Sequence, residues 1–209
     1  KYLLNHNNSD DFVDEDGNTR MPDYEYVKSS DNYYVYENKN YVPYGFSYDY
    51  YMTQEFCDDY NEDSRSRLML KAILLNERQI KKYGDIMQNI EDIGYEDTYE
   101  TGTTLSLSDE AMSIDSKNLA ETSAYSFDID NYGFEAKVTR DKESLVFFSV
   151  PYDKGWRATV NGQAVEIEKV NVGFMAVSVP SGNSTIRFDY ETPLLAEGTK
   201  LTIAAITVF

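Results

Sequence analysis

The C-terminal part of the chain alternates apolar and polar residues with a period of two, which is typical of β-strands that bury one face. Strands of this kind are predicted over 125–129, 134–138, 156–160, 164–167, 174–179 and 185–190. Residues 145–150 form a nearly continuous apolar run, which favours a central strand buried on both faces. Asn161-Gly162 separates two strands and is a strong hairpin signal. Short strands joined by such turns predict an antiparallel β-sandwich or jelly roll over 124–209.

The N-terminal part has shorter strand patterns, followed by a helical stretch. Strands are predicted over 2–4, 24–27 and 33–37, with an extended segment at 41–48. Thr53 is placed to cap a short helix, and Asp63 or Ser64 to cap a second helix whose apolar positions include 68, 72 and 75. Asn76 either ends that helix or begins a further turn, which stops at Gly84.

Residues 85–123 are polar and weakly patterned, so we expect loops with short strands such as 103–107. The predicted fold class is therefore mainly β within an α+β chain. We expect three parts: a smaller tyrosine-rich α+β region over 1–84, a connection over 85–123 and the sandwich over 124–209.

Composition and charge exclude several classes of protein. The 209 residues include 37 acidic and 19 basic side chains, a formal net charge of −18. Nucleic-acid binding and charge-driven binding to anionic lipid both need a basic surplus that is absent here. Hydrophobic residues make up 41% of the chain, enough to build a core, which argues against disorder.

The single cysteine and the single histidine narrow the chemistry further. Because Cys57 is the only cysteine, a scaffold built on disulfides is excluded. His6 is the only histidine, so the chain also lacks the ligands of a Cys/His zinc site. Acidic neighbours disfavour a Cys57 thiolate, so we predict no catalytic residue. A stand-alone glycosidase is a weak alternative, because the sequence does not pair particular carboxylates. Glu166 and Glu168 alternate along one strand and are expected on a solvated sheet face.

Two acidic turns, at 14–18 and 128–133, superficially resemble calcium loops. The EF-hand spacing would place Phe12 and Tyr132 at ligand positions, where neither can serve. We therefore expect no cofactor, and the sequence leaves open only a weak calcium site built from backbone carbonyls.

Tyrosine is unusually frequent, with 19 copies of which 12 lie in the first sixty residues. Exposed aromatic rings can stack on the apolar faces of sugars. The candidate glycan-binding residues are Tyr33, Tyr36, Tyr44, Tyr48 and Trp156. Trp156 begins a strand, which favours a core position for its ring, although an indole ring can also stack on a sugar.

The two ends of the chain raise separate expectations. The chain begins with Lys1 and has no signal-peptide pattern, so we expect a fragment or a processed product. Residues 201–209 are apolar to the last residue, which fits either a buried strand or the first turns of a membrane helix.

A family resemblance rests on ordered motifs rather than on composition. An aromatic-rich strand at 145–150 is followed by Gly155-Trp156 and by a second strand that ends in Val160-Asn161-Gly162. Further matching segments lie, in order, at 1–4, 37–49, 70–75, 171–177, 179–182 and 186–190. This pattern resembles the bacterial YfhO membrane-protein family, with Asn161 where the family usually has aspartate. The turn accepts either residue.

The resemblance implies a multi-pass membrane protein of Gram-positive bacteria, similar to C-type glycosyltransferases and implicated in glycosylating envelope polymers such as lipoteichoic acid. The presumed catalytic carboxylate of such proteins lies in an early extracytoplasmic loop that this chain lacks. We therefore expect a non-catalytic extracytoplasmic domain, soluble by itself and held at the cell membrane by other parts of the protein. Whether the whole protein is an enzyme stays open, and 201–209 would lead into its last membrane helix.

Two functions follow as hypotheses. The domain binds or positions a glycan or teichoic-acid acceptor, or it is a structural or protein-interaction domain without sugar binding. Neither partner class includes nucleic acid.

Overall fold

A computed structural model describes residues 1–6, 14, 19–21, 23–93, 107–195, 198 and 202. The chain forms two compact units, Lys1–Val42 and Pro43–Phe209. The domain boundaries expected at 84 and 123 stay a prediction.

The first unit contains a three-stranded antiparallel sheet of β1 (Tyr2–His6), β2 (Tyr24–Ser30) and β3 (Tyr33–Asn38), with β3 in the centre. β2 and β3 are joined by a tight turn in which Asp31 has a φ of 53°. Tyr36 on the central strand is only 1% exposed, and the ring of Tyr26 on the paired strand packs against it edge-on. The strand prediction for this region is confirmed.

The second unit begins with short strands and helices that form a small layer of their own. Its elements are β4 (Phe46–Ser47), β5 (Tyr50–Met52), α1 (Gln54–Asp58), α2 (Glu62–Lys71), β6 (Ala72–Leu74), α3 (Glu77–Tyr83) and β7 (Gln88–Asn89), with 3-10 turns at Gly84–Ile86 and Ile90–Asp92. β5 lies between β6 and β7 and is parallel to both. The Thr53 hydroxyl caps α1 as predicted, accepting a hydrogen bond from the Phe56 amide at 3.1 Å.

The second helix differs from the prediction at both ends. Asn61 is the N-cap, not Asp63 or Ser64, and α2 ends at Lys71 where the predicted helix continued. The next three residues form β6 and are all buried. A short apolar run fits a buried strand as well as a buried helix, which is why periodicity misassigned it. Asn76 begins α3 through a reciprocal capping box.

Helix α4 (Asp109–Glu121) occupies a region where the sequence predicted loops. The Ser108 hydroxyl caps it by accepting from the Ala111 amide at 3.2 Å. Its buried residues include Asp115 and Ser116, so the face that packs inward carries little apolar signal. Lys71 on α2 reaches the Asp115 carboxylate at 2.6 Å. The strand predicted at 103–107 falls, apart from Leu107, outside the described residues.

The rest of the second unit is an antiparallel sandwich. Its strands are β8 (Ser126–Ile129), β9 (Gly133–Arg140), β10 (Ser144–Pro151), β11 (Trp156–Val160), β12 (Gln163–Val165), β13 (Glu168–Val170), β14 (Phe174–Val179) and β15 (Gly182–Tyr190). One sheet has the order β12-β11-β15-β9-β8 and the other β13-β14-β10-β4. The predicted class, mainly β with a sandwich in the C-terminal half, is confirmed.

The sandwich core forms where the two sheets face each other. Phe134, Phe148 and Phe188 meet there, with ring centroids 4.6–5.3 Å apart. Strand β10 lies between β14 and β4 and is buried on both faces, as its continuous apolar run predicted. Asn161 and Gly162 take φ values of 52° and 79° in the β11–β12 hairpin, which agrees with their turn chemistry.

Glu168 on β13 is only 1% exposed, which corrects the expected solvated position. Its carboxylate accepts hydrogen bonds from Gln79 at 3.0 Å, Lys82 at 2.9 Å and Tyr83 at 3.0 Å, all on α3. Burial by itself would raise the Glu168 pKa, but these bonds outweigh it and the net pKa is lowered. These hydrogen bonds between Glu168 and helix α3 hold the helix against the sandwich.

Candidate functional site

The sandwich carries an open cleft of about 430 Å³, which we call the aromatic cleft. It is lined by Tyr44, Phe127, Ile129, Asp130, Asn131, Tyr132, Gly133, Phe134, Val150, Trp156 and Tyr190. These residues come from the segment before β4, the β8–β9 hairpin, β10 and the facing ends of β11 and β15.

The β8–β9 turn is built by Asp130, whose Oδ1 accepts hydrogen bonds from the amides of Tyr132 at 2.8 Å and Gly133 at 2.9 Å. This Asx-type turn is the local reason that the chain reverses here. The Tyr132 carbonyl then accepts from the Tyr190 amide at 2.7 Å. A Cβ on Gly133 would lie 1.9 Å from the Phe188 carbonyl oxygen, so only glycine permits this close approach.

Aromatic rings follow one another along the cleft. Tyr44 stacks on Phe127 with centroids 4.7 Å apart and planes 19° apart. Phe127 contacts Phe134, and Phe134 contacts Trp156 edge-on at 5.6 Å. Trp156 then contacts Tyr190 at 5.0 Å. Phe134 in the middle of the row is buried, whereas Tyr44 and Tyr190 at its two ends are exposed, so both ends of the row reach solvent.

The Asp130 carboxylate at the rim is paired with an arginine. Arg187 donates to both carboxylate oxygens of Asp130, at 2.7 and 3.1 Å, and to Asp189 at 2.6 Å. These bonds, with Arg187 as the largest cause, lower the Asp130 pKa to about 2. Asp130 is therefore ionised at all physiological pH values, and its turn is held to the middle of the sheet.

Polar groups that can meet a ligand lie at the rim. Asp130 and Asn131 are exposed there, and the Tyr190 hydroxyl donates to Asp153 at 3.2 Å. Desolvation and the Asp153 carboxylate raise the Tyr190 pKa, so the phenol stays protonated. The cleft thus offers apolar ring faces beside hydrogen-bonding side chains. Such a lining suits a ligand that has an apolar face and polar groups along its edge.

The two acidic turns that resemble calcium loops differ in how much of each the structure describes. No group of three or more His, Cys, Asp or Glu side chains among the described residues could hold a metal ion. In the turn at 128–133, the Asp130 carboxylate is already bound by Arg187. Of the other acidic turn, 14–18, only Asp14 is among the described residues.

Comparison with known proteins gives a family. The family model described as "Bacterial membrane protein YfhO" matches residues 98–202, which is half of the chain. The chain belongs to the YfhO family. The resemblance seen in the sequence is thus confirmed. "Uncharacterized protein YfhO" of Bacillus subtilis (strain 168) is 31% identical over 52 residues, which cover 25% of this chain and 6% of that protein. No solved structure matches the chain.

YfhO proteins are described as membrane proteins. Among the described residues of this YfhO chain, no helix is both long enough and apolar enough to cross a membrane. The expectation for 201–209 concerns residues that, Thr202 apart, lie outside the described ranges.

The five candidate residues have different surroundings in this YfhO chain. Tyr44 and Trp156 line the aromatic cleft. Tyr48 is buried, its hydroxyl donating to the Met69 carbonyl at 2.8 Å, and burial raises its pKa. In the first unit Tyr36 is buried, whereas Tyr33 is half exposed and touches His6 edge-on. The structure brings only Tyr44 and Trp156 to one site, and a glycan-binding role for any of the five stays a prediction.

Sequence reasoning missed most of the cleft-lining residues. The sequence places Asp130 and Tyr132 in an acidic turn that does not meet the calcium-loop spacing, and it places Tyr190 at the end of a predicted strand. The available signal was an exposed aromatic residue inside a tight turn, since Tyr132 is 72% exposed. Its proximity to Trp156 depends on strand order, which the sequence does not state.

Proposed function

We propose that this chain is a non-catalytic, extracytoplasmic domain of a multi-pass YfhO-family membrane protein in a Gram-positive envelope. We propose further that it binds an uncharged sugar of an envelope glycan in the aromatic cleft. The observation that carries the proposal is the row of rings from Tyr44 to Tyr190, open to solvent and edged by polar side chains.

The chemistry of the lining supports a sugar. One face of a hexose ring presents C–H groups that pack on aromatic faces, and its hydroxyls need hydrogen-bonding partners at the edge. Tyr44 and Tyr190 supply exposed faces, and Asp130 and Asn131 supply the edge.

The charge supports a neutral ligand at this cleft. Among the lining residues, Asp130 alone is charged, and Arg187 already binds it. The net charge of −18 also repels polyanions. A sugar substituent carried by a teichoic-acid acceptor therefore suits the cleft better than the polymer backbone does.

Trp156 provides a direct test, because it is the only tryptophan and lies in the cleft. We expect its fluorescence, excited selectively, to change on titration with one or more neutral sugars of envelope polymers at about 10 mM, a concentration that saturates a site of about 1 mM Kd. Tyr132→Ala should weaken that binding about three- to tenfold through loss of one ring contact.

Tyr125→Ala is the matched control, because Tyr125 is 66% exposed and does not line the cleft. It should leave the affinity unchanged. No response to any sugar, or equal losses in the two variants, would reject the proposed site.

A second candidate, docking of a protein, is favoured by Ile129. This aliphatic side chain at the rim is 76% exposed and has no hydrogen bond to offer a sugar. Ile129→Asp should abolish co-purification of a stoichiometric membrane partner if the rim is a protein interface. If the cleft serves sugars only, the same variant should leave co-purification unchanged.

A further inference from the structure

The last residue of strand β9, Arg140, lies on the same face of the strand as its buried apolar residues. Phe134, Ala136 and Val138 are buried at alternate positions, and Arg140 takes the next position of that series at 8% exposure. Arginine is rarely buried to this extent without a carboxylate partner. Such departures from an apolar pattern are where functional sites are expected.

The hydrogen bonds of Arg140 go to neutral acceptors. Nε donates to the Ser47 hydroxyl at 2.9 Å, Nη1 to the Thr139 carbonyl at 2.9 Å and Nη2 to the Gly45 carbonyl at 3.0 Å. In the part of the chain that the structure describes, no carboxylate forms an ion pair with this guanidinium, and burial is the cause that acts on its pKa. Burial without such a partner lowers the Arg140 pKa. Of the five N–H groups, one on Nη1 and one on Nη2 remain available.

Arg140 lines a pocket of about 240 Å³, which we call the Arg140 pocket. Ser47 and Lys142 also line it. The Ser47 oxygen accepts from Arg140, so its own hydrogen is free to donate. The Lys142 ammonium is loosely held, 3.7 Å from Asp49 and 3.4 Å from the Ile86 carbonyl. The pocket therefore combines a guanidinium edge, a hydroxyl and an ammonium.

We propose that the Arg140 pocket binds a phosphate group. A guanidinium edge binds two oxygens of an oxyanion at once, and the further donors of Ser47 and Lys142 suit a tetrahedral group with more oxygens than a carboxylate has. The bound anion supplies the counter-charge that the buried arginine lacks. This site is separate from the aromatic cleft, whose lining shares no residue with it.

Three carboxylates at the pocket mouth oppose an anion. Asp49, Glu121 and Asp141 line it, and all three are exposed. Exposed charges are screened by water and salt, whereas the attraction of buried Arg140 is not. The balance favours binding, but weak binding, with a Kd on the order of 1 mM.

The test is a titration of the full chain with inorganic phosphate, monitored through the amide chemical shifts. Sodium chloride keeps the ionic strength constant during the titration. We expect saturable shifts confined to residues 45–47 and 139–144. Arg140→Lys keeps the positive charge but loses the planar guanidinium edge that binds two oxygens at once. It should weaken phosphate binding at least about tenfold. Asp141→Asn removes a repelling charge at an exposed position and should strengthen binding about two- to threefold.

Lys142→Gln should weaken phosphate binding. The matched control is Lys154→Gln, which changes an exposed lysine that does not line the Arg140 pocket and should leave the affinity unchanged. Both variants and Asp141→Asn test the proposal even if Arg140→Lys fails to fold. Glycerol phosphate added in parallel distinguishes a phosphate ester from the free ion by its additional shifts. Absence of saturable shifts, shifts elsewhere in the chain, or equal binding by Arg140→Lys would show that Arg140 only ties β4 to β9.

Discussion

Cys57 illustrates how burial sets the chemistry of a single side chain. It is 3% exposed and packs with Met52 and Leu68 in the core of the helical layer. Burial is the largest cause of its raised pKa. Arg65 lowers that pKa and Asp58 raises it, each by less. The sequence suggested the same direction for a smaller reason, the acidic neighbours. A buried, protonated thiol is a poor nucleophile.

We therefore predict that Cys57 reacts with a thiol reagent at least about a hundredfold more slowly in the folded chain than in urea, because reaction requires local opening. The measurement is the pseudo-first-order rate with excess Ellman's reagent at neutral pH. The unfolded chain is its own control, since it carries the same single thiol. Fast reaction without denaturant would contradict the burial.

At the scale of elements, the β8–β9 hairpin depends on one glycine. Gly133 lets β9 approach β15 so closely that the Phe188 carbonyl occupies the space of a Cβ. The same approach brings Tyr132 and Tyr190 to one cleft. The shape of the aromatic cleft is thus a consequence of strand packing.

Gly133→Ala should lower the free energy of unfolding by about 3 kcal/mol or more, because backbone must move to admit the methyl group. Gly173→Ala is the matched control, since nothing lies within 4 Å of its added Cβ and the variant should be nearly neutral. Urea denaturation of the two variants measures the difference. Equal stabilities would contradict the close packing described here.

How much could be predicted also differs between elements. The alternation along β9 and the turn chemistry of Asn161-Gly162 are local properties, and both elements were predicted. The boundary between α2 and β6 was not, because Ala72–Leu74 is apolar throughout and only its parallel pairing with β5 makes it a strand. Helix α4 was missed because the Lys71–Asp115 pair, formed across the fold, makes a polar position buried.

For the whole molecule, the acidic composition has structural as well as functional effects. Glu168 and Asp130 both have lowered pKa values in the folded chain. The unfolded chain therefore takes up protons at a higher pH than the folded chain does. The stabilisation by these groups is present above their ordinary pKa values, 4.5 for Glu168 and 3.8 for Asp130. It is lost as pH falls through their lowered pKa values in the folded chain, which for Asp130 is about 2. Buried Asp115 acts in the opposite direction, because burial raises its pKa.

We predict that the free energy of unfolding falls steadily from about pH 5 to about pH 3. Glu168→Gln should cost about 2 kcal/mol at neutral pH through weaker hydrogen bonds to α3, and less in acid, where Glu168 itself becomes protonated. Urea denaturation across this pH range is the measurement. Glu110→Gln, at an exposed position, should follow the unsubstituted chain. A constant difference for Glu168→Gln at every pH would contradict the pKa assignment.

The five-stranded sheet also constrains the order in which the protein can fold during synthesis. Its central strand, β15, is the last strand of the described chain, and β9 and β11, which flank it, are made earlier. While the ribosome is still adding residues before Gly182, β9 and β11 have no partner between them, and Phe134 lacks the ring of Phe188. The sandwich therefore closes only after translation reaches Tyr190, and until then the unpaired edges of β9 and β11 are open to pairing with other chains.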